Sequence, residues 1–332
     1  MVQTISKTLE VDPNRGNDQP SARPSLPFKT LTAALVTVQG QYLNQAGHWH
    51  LQHATGERFP ITVPDGVMIS GQEASQGEGV VISGGGTVPG QTTASVAVVV
   101  QGQGQLRGVT VQNAQGTGIT LGEGSPLIRA CRLVQCGRDG VQVTGTAKPA
   151  LIQLRCEAVT GSGIRFSDRA KGEVKDCIFQ RCGQGIYVEG SAAPLLLNNK
   201  CSGNQVGIQV TGSASPVLRS NRVSQNQNLG LWIQGNGRPD LGQSADEAGN
   251  IIRDNGRGDL RNDSGQALVS VGNDLLPQRV TGPVTLGISQ RPDPAAVPRI
   301  LLDQPITQAP TPQSAPIPGP VSPSSYLYPH PL

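Results

Sequence analysis

A short motif, glycine followed by apolar, polar and apolar residues, recurs six times in the chain at intervals of 22 or 23 residues. A fixed period of this length is typical of a solenoid, in which each repeat stacks on its neighbours. The alternation predicts a strand with one buried face. The motifs begin at Gly118, Gly140, Gly163, Gly185, Gly207 and Gly230.

The rest of each repeat also alternates, and it lacks the helical half that a leucine-rich repeat of this length would carry. Glycine, proline and serine separate the apolar segments instead, as in "VEGSAAPLLLNN". Aromatic residues make up 3% of the chain, so that a core of Val, Ile, Leu and Ala is expected. The sequence therefore predicts an all-β fold, a parallel β-helix in which each repeat forms one coil.

Stacked coils explain the repetition, because each inward side chain then meets its counterpart one strand spacing away, about 4.8 Å. Asparagine in such a column can bond the backbone and the next amide. Cysteine fits the same positions as a small buried group, so that we expect structural thiols, with the pairs Cys131/Cys136 and Cys177/Cys182 as the exception to examine for metal or redox chemistry. Three inward columns are predicted: Cys131, Leu154, Cys177, Asn199, Asn221; Cys136, Val159, Cys182, Asn204, Asn226; and Leu133, Cys156, Phe179, Cys201, Val223.

The pattern changes at both ends of the repeats. The β-helix domain is expected to span residues 1–289, with the most regular coils over about 95–260 and with Leu106 aligned to Leu127. A capping helix is expected within about 25–40, where Pro27 opens the helix and Phe28, Leu31, Leu35 and Val38 form one apolar stripe. Residues 290–332 are rich in proline and without periodicity, which predicts a disordered tail.

Charge and hydropathy argue against nucleic acid and membranes as partners. The net charge of +3 is small and dispersed, which argues against nucleic acid, and no apolar run is long enough for a membrane span. The first residues, "MVQTISKTLEVDPN", lack the apolar core of a signal peptide, which predicts a cytoplasmic protein. If the native start lies upstream, a periplasmic or extracellular location is the alternative.

Three blocks in order, "VDPNRGNDQ…LPFKTLTAAL", "GERFPITVPDGVMISG" and "RPDLG…GNIIRDNGRGDLRN", resemble the uncharacterised bacterial and archaeal β-helix family called domain of unknown function 1565. The resemblance covers roughly residues 9–280 and implies a right-handed, pectin-lyase-like solenoid without an established activity. The coils also resemble copper-maturation β-helix proteins of the NosD type, in a pattern generic to β-helices.

Two functions are compatible with this fold. A row of outward residues in the glycine-led strands, containing Arg165, Tyr187, Gln209 and Trp232, offers stacking surfaces and amides that suit a sugar or an extended chain. The alternative is a pectin-lyase-like polysaccharide lyase or hydrolase, for which Arg165 and Asp168 are the candidate charge partner and base. The "NTD", "GHG" and "RIK" motifs of pectin hydrolases do not occur.

Metal sites have weaker signals. His48 and His50 would share one face of a strand, and Asp12 and Asp18 lie in a turn that loosely resembles a calcium loop. A hydrogen-bonded turn explains the two aspartates equally well. We expect no cofactor. The sequence favours a non-catalytic binding or scaffolding protein, with a polysaccharide as partner or with a protein that docks on the Pro-rich tail.

Overall fold

The computed structural model describes residues 8–19, 26–37, 42–45, 49–51, 56–88 and 95–287, with the backbone alone for residues 8, 42–45 and 49–51. Val38, His48 and the Pro-rich tail predicted for residues 290–332 lie outside the described residues, so that the domain boundary and the disorder of the tail stay predictions. No described helix has the length and the apolar character that a membrane crossing requires.

The described chain coils through three parallel sheets, which confirms the predicted right-handed parallel β-helix. The first sheet contains Thr8–Val11, Tyr42–Gln45, Met68–Ser70, Gln105–Arg107, Leu127–Arg129, Ala150–Ile152, Glu173–Lys175, Leu195–Leu197 and Val217–Arg219. The second contains Trp49–Leu51, Val80–Ser83, Thr110–Gln112, Arg132–Val134, Arg155–Glu157, Ile178–Gln180, Lys200–Ser202, Arg222–Ser224 and Ile251–Arg253. The third contains Ile61–Val63, Ser95–Val100, Gly116–Leu121, Val141–Val143, Ser162–Phe166, Gln184–Val188, Val206–Val210, Leu229–Ile233, Gly258–Asn262 and Val280–Thr281.

Short elements complete the ends. Gly86–Thr87 pairs antiparallel with the third sheet, and Leu268–Val271 pairs with Val284–Gly287 beyond the regular coils. A single turn of 3-10 helix covers Pro277–Arg279. The α-helix spans Leu31–Thr37 near the N-terminal end of the solenoid.

The register places like residues on like. In the second sheet Leu133 pairs with Cys156, Cys156 with Phe179, Phe179 with Cys201 and Cys201 with Val223. Each of these side chains is buried, as are the members of the other two predicted inward columns. The apolar interior therefore runs as continuous columns through the stacked coils, which is why the sequence repeats.

Two buried asparagine ladders hold the coils together. In one ladder the amide nitrogen of Asn199 donates to Asn221 at 3.0 Å, Asn221 donates to Asn250 at 2.9 Å, and Asn250 donates to Asn273 at 2.8 Å. Each amide oxygen also accepts the backbone N–H of the preceding coil, as Asn221 does from Asn199 at 3.0 Å. A second ladder connects Asn204, Asn226 and Asn255 in the same manner. These bonds confirm the predicted ladder.

The cysteines of these columns act as substitutes for asparagine. The Cys177 thiol accepts the Leu154 N–H at 3.3 Å and donates to the Leu151 carbonyl at 3.4 Å. All six cysteines are free thiols and buried. Burial raises the pKa of Cys131 and of Cys177 to about 12, so that they stay protonated, as structural thiols do.

Close packing explains the glycine that opens each repeat. A Cβ on Gly185 would lie 2.5 Å from the Gly207 carbonyl oxygen, and one on Gly207 would lie 2.3 Å from Val223. A larger residue would push the strand away from the coil beside it.

The cap differs from its sequence prediction in detail. The helix begins at Leu31, four residues after Pro27, and the Thr30 hydroxyl caps it by accepting the Ala33 N–H at 3.1 Å. Leu31 and Ala34 are its buried residues, whereas Leu35 is half-buried. The prediction that Pro27 opens the helix was wrong because the chain first passes Val11 in a parallel bridge at Phe28.

One alignment was wrong by a single residue. Leu106 pairs with Ile128, not with Leu127, which pairs with Gln105 on the outer face. The segment from Leu127 to Ile128 has two apolar residues in a row, so that alternation alone does not fix which one points inward.

Candidate functional site

The outer face of the third sheet carries the predicted row of outward residues, which are half-buried. Register pairs Arg165 with Tyr187, Tyr187 with Gln209 and Gln209 with Trp232, one coil after another. Trp232 then pairs with Arg261, which the sequence row did not include. We call this set the outward column: Thr120, Gln142, Arg165, Tyr187, Gln209, Trp232 and Arg261.

The inward neighbours of these residues fix the column in place. Ile186 and Val188 flank Tyr187 in the strand and are fully buried, and Leu231 and Ile233 do the same for Trp232. Because side chains alternate across a strand, Tyr187 and Trp232 must point outward, and both are half-buried. The column is therefore held on a rigid sheet rather than on loops.

At one end of the column an arginine, a tyrosine and a glutamate form a compact group. Arg165 Nε donates to Glu189 Oε1 at 2.9 Å, and its Nη2 donates to the same oxygen. The guanidinium carbon lies 5.2 Å from the centre of the Tyr187 ring, which is a cation–π contact. Burial, followed by the charge of Glu189, raises the pKa of the Tyr187 hydroxyl. One face of the tyrosine ring is thus occupied by the protein itself.

A second group lies farther along the same column. The Trp232 indole N–H donates to Asp263 Oδ2 at 2.9 Å, and Arg261 Nε donates to the same oxygen at 2.7 Å. The hydrogen bond from Trp232, followed by that from Arg261, lowers the pKa of Asp263. Between the two groups, Gln209 Nε2 donates to Gln234 Oε1 at 2.8 Å.

Sequence reasoning missed a second outward column. Glu189, Gln234 and Asp263 each follow a third-sheet strand directly, one residue after Val188, Ile233 or Asn262, and each accepts a bond from the outward column. The repeat contained the information needed to find this column, because residues two positions apart on a strand share a face. Aligning the position two residues after each outward residue would have found all three.

Asp168 lies in a turn, where its side chain accepts a hydrogen bond from the backbone of the neighbouring coil. Its φ is +57°, in the left-handed region, and the corresponding turn residues of neighbouring coils are Gly145, Gly190 and Gly212 at +61°, +65° and +67°. Its Oδ2 accepts the Gly145 N–H at 2.8 Å. Aspartate tolerates this conformation better than most residues do.

The proposed partnership of Arg165 with Asp168 is not what the structure shows. The carboxylate that Arg165 binds is Glu189, and Asp168 bonds to the turn of the preceding coil. Sequence proximity was misleading because Arg165 points outward from the strand, whereas Asp168 lies beyond its end.

The aspartates of the N-terminal turn are engaged by the protein. Asp12 Oδ1 accepts the Asn14 N–H at 2.9 Å, and its Oδ2 pairs with Arg15. Asp18 accepts the Thr30 N–H at 3.1 Å and the Thr30 hydroxyl at 2.8 Å. These contacts describe a hydrogen-bonded turn. His50 lies in the strand Trp49–Leu51. The described residues contain no group of three acidic, histidine or cysteine side chains spaced to hold a metal.

Chemically, the outer face of the third sheet offers amides, two carboxylates and two aromatic side chains in two neighbouring columns parallel to the coil axis. Three pairs join adjacent coils, namely Arg165 with Glu189, Gln209 with Gln234 and Trp232 with Asp263, so that the positions of these side chains are set before any ligand arrives. Such a surface can bind hydroxyl groups of an extended molecule that lies across several coils.

Comparison with solved structures finds the same architecture in a pectate lyase. The crystal structure of pectate lyase Pel9A superposes with a TM-score of 0.55 at 14% identity, over 86% of this chain and 78% of that one. The Dettilon tailspike protein gives a TM-score of 0.41 at 12% identity, over 77% of this chain and 64% of the tailspike. At these identities the likeness to the pectate lyase shows a shared fold.

A search of curated proteins finds no match. A family model does match, over residues 14–280, which is most of the chain and agrees with the three sequence blocks. The chain belongs to the family described as protein of unknown function (DUF1565).

Proposed function

We propose that this protein is a non-catalytic β-helix that binds an extended carbohydrate polymer along the outward column. The observation that carries the proposal is the register, which aligns Arg165, Tyr187, Gln209 and Trp232 in one uninterrupted line. Successive residues are about 4.8 Å apart along that line. A polymer that runs parallel to the coil axis would contact all four.

The chemistry of the outward column and of the second outward column beside it suits sugar hydroxyl groups. Glu189 and Asp263 are carboxylates that partners from adjacent coils hold in place, and a carboxylate has several lone pairs for further donors. The side chain of Trp232 is half-buried and offers apolar surface beside these acceptors. Because the groups are already ordered, binding does not have to immobilise them.

Binding without turnover fits the site better than the lyase alternative. The base proposed for a lyase, Asp168, holds a turn, and its intended partner Arg165 is paired with Glu189. The pectate lyase of similar fold nevertheless makes pectate a sensible first polymer to test, alongside neutral glycans.

A glycan array with the purified full chain tests the proposal. Binding should weaken at least tenfold in Trp232→Ala and in Tyr187→Ala, which is about 1.4 kcal/mol or more. Leu195→Ala is the matched control, because Leu195 is a half-buried outward residue of the first sheet and should leave binding unchanged. Bound polymers are also incubated with the protein and analysed for shortened products.

Two results would refute the proposal. One is polymer binding that survives both aromatic substitutions. The other is depolymerisation by the wild type that Arg165→Ala or Asp168→Ala abolishes, which would establish the lyase alternative.

A further inference from the structure

Arginine side chains of adjacent coils lie beside one another on a second surface, at the corner between the first sheet and the second sheet. Arg107 pairs with Arg129 in the first sheet, and Arg132 pairs with Arg155 in the second. Together with Arg181, which is 67% exposed in the next turn, they form what we call the arginine corner. Farther along the second sheet Lys200 pairs with Arg222 in the same outward position.

Stacked cations repel one another, so that this arrangement works against stability unless anions compensate it. In the inward columns and the asparagine ladders, like-on-like stacking brings apolar groups or amides together, which attract. Packing therefore explains the inward columns and the asparagine ladders but gives no reason to place arginine beside arginine twice in adjacent columns.

The acidic residues nearby compensate this charge in part. Glu157 lies 3.5 Å from Arg132, 3.3 Å from Arg155 and 3.8 Å from Arg181. Glu73 lies 3.7 Å from Arg107 and 3.4 Å from Arg129. One further acid, Glu78, lies 3.6 Å from Arg132. Five guanidinium groups thus share three carboxylates, which leaves an excess of two positive charges.

The existing ion pairs are also loose. Charge-assisted bonds between a guanidinium and a carboxylate are commonly about 2.7–2.9 Å long, and these are longer. The Nε atoms of Arg132 and Arg155 are buried and have no hydrogen-bond partner. Arg129 and Arg155 are 46% and 37% exposed, so that a ligand can reach them from solvent.

We propose that the arginine corner binds an acidic polysaccharide with one carboxylate on each sugar, lying along the coil axis. Guanidinium groups bind carboxylates through paired N–H donors, and the corner repeats such a group at the spacing of one coil. None of the five described arginines has an aromatic residue among the partners that the structure gives it, on which the bases of a single-stranded nucleic acid would stack, and this favours the polysaccharide. This site is separate from the outward column and does not rest on its proposed function.

The test is calorimetric titration of the full chain with an oligogalacturonate and with its methyl ester, which has the same backbone without the charges. The acid form should bind and the ester should not. The double substitution Arg132→Gln/Arg155→Gln should weaken binding at least tenfold, and added salt should weaken binding to the wild type. Unchanged thermal unfolding of the variant shows that the fold is intact.

A matched control distinguishes binding at the arginine corner from a general effect of the protein's net charge. Arg238→Gln/Arg257→Gln removes the same charge from exposed positions elsewhere and should leave the affinity within about twofold, a change worth well under 1 kcal/mol. Titration of Trp232→Ala separates the two proposed sites. If the affinity for the acid form falls in Trp232→Ala and not in Arg132→Gln/Arg155→Gln, the ligand lies on the outward column and the inference is overturned. The inference is overturned if the wild type does not bind the acid form, if both double variants lose affinity equally, or if a single-stranded oligonucleotide binds more tightly than the oligogalacturonate through the same arginines.

Discussion

At the scale of single residues, the environment of a side chain decides its role more than its type does. Asp168 and Asp263 are both exposed aspartates near the third sheet. One holds a left-handed turn, and the other accepts bonds from Trp232 and Arg261 on the outer face. Sequence analysis proposed a role for Asp168 and overlooked Asp263. A sequence gives the chemical type of each side chain but not the direction in which it points.

The pKa of Asp263 reports directly on the group around Trp232. Trp232→Phe removes the indole N–H, the largest contribution to the lowered pKa of Asp263, and should raise that pKa toward its ordinary value. A carboxyl with a lowered pKa stabilises the fold at neutral pH, and this stabilisation is lost as the pH falls through the folded-state pKa. As the pH falls, the variant should therefore lose this stabilisation at a higher pH than the wild type does.

Carbon-detected NMR titration of the aspartate carboxyls measures this change. The Asp240 carboxyl, whose pKa Arg219 lowers at a distant corner, is the internal control and should titrate identically in both proteins. An Asp263 pKa that does not respond to Trp232→Phe would show that the two side chains are not bonded in solution.

At the scale of elements, the repeat pattern predicts the strands and most of their register. The period and the alternation of the repeat predicted the third-sheet strands, the inward columns and the asparagine ladders correctly. They misplaced Leu127 by one residue, because two adjacent apolar residues can exchange faces without breaking the pattern. They also misjudged the start of the cap, which depends on a hydroxyl cap at Thr30 and on a long-range bridge rather than on local propensity.

The asparagine ladder predicts unequal effects for two substitutions at one position. Asn221→Ala leaves the Asn199 N–H and the Leu196 carbonyl without their buried partner, and it should destabilise the fold by about 3 kcal/mol. Asn221→Cys should be considerably milder, because the Cys177 thiol already makes both types of bond in this column. Urea unfolding of the two variants measures the difference. Equal losses would mean that the thiol does not replace the hydrogen bonds of the amide at this position.

At the scale of the whole molecule, the stacked coils place the residues of each repeat position in columns along the solenoid. The sequence was sufficient to predict this architecture, because each coil obeys the same rule. It was not sufficient to predict which outward residues bond to one another. Those contacts, such as Arg165 with Glu189, run diagonally between coils and depend on side-chain conformations that no repeat pattern encodes.

The central claim is that a polymer lies along the outward column, across several coils. Hydroxyl-radical footprinting of the full chain, with and without a glycan selected on the array, tests it most directly. Tyr187 and Trp232, two coils apart, should become protected together, whereas Met68 on the first sheet should keep its reactivity. Binding of the glycan that leaves both aromatic residues as reactive as in the free protein would contradict the account.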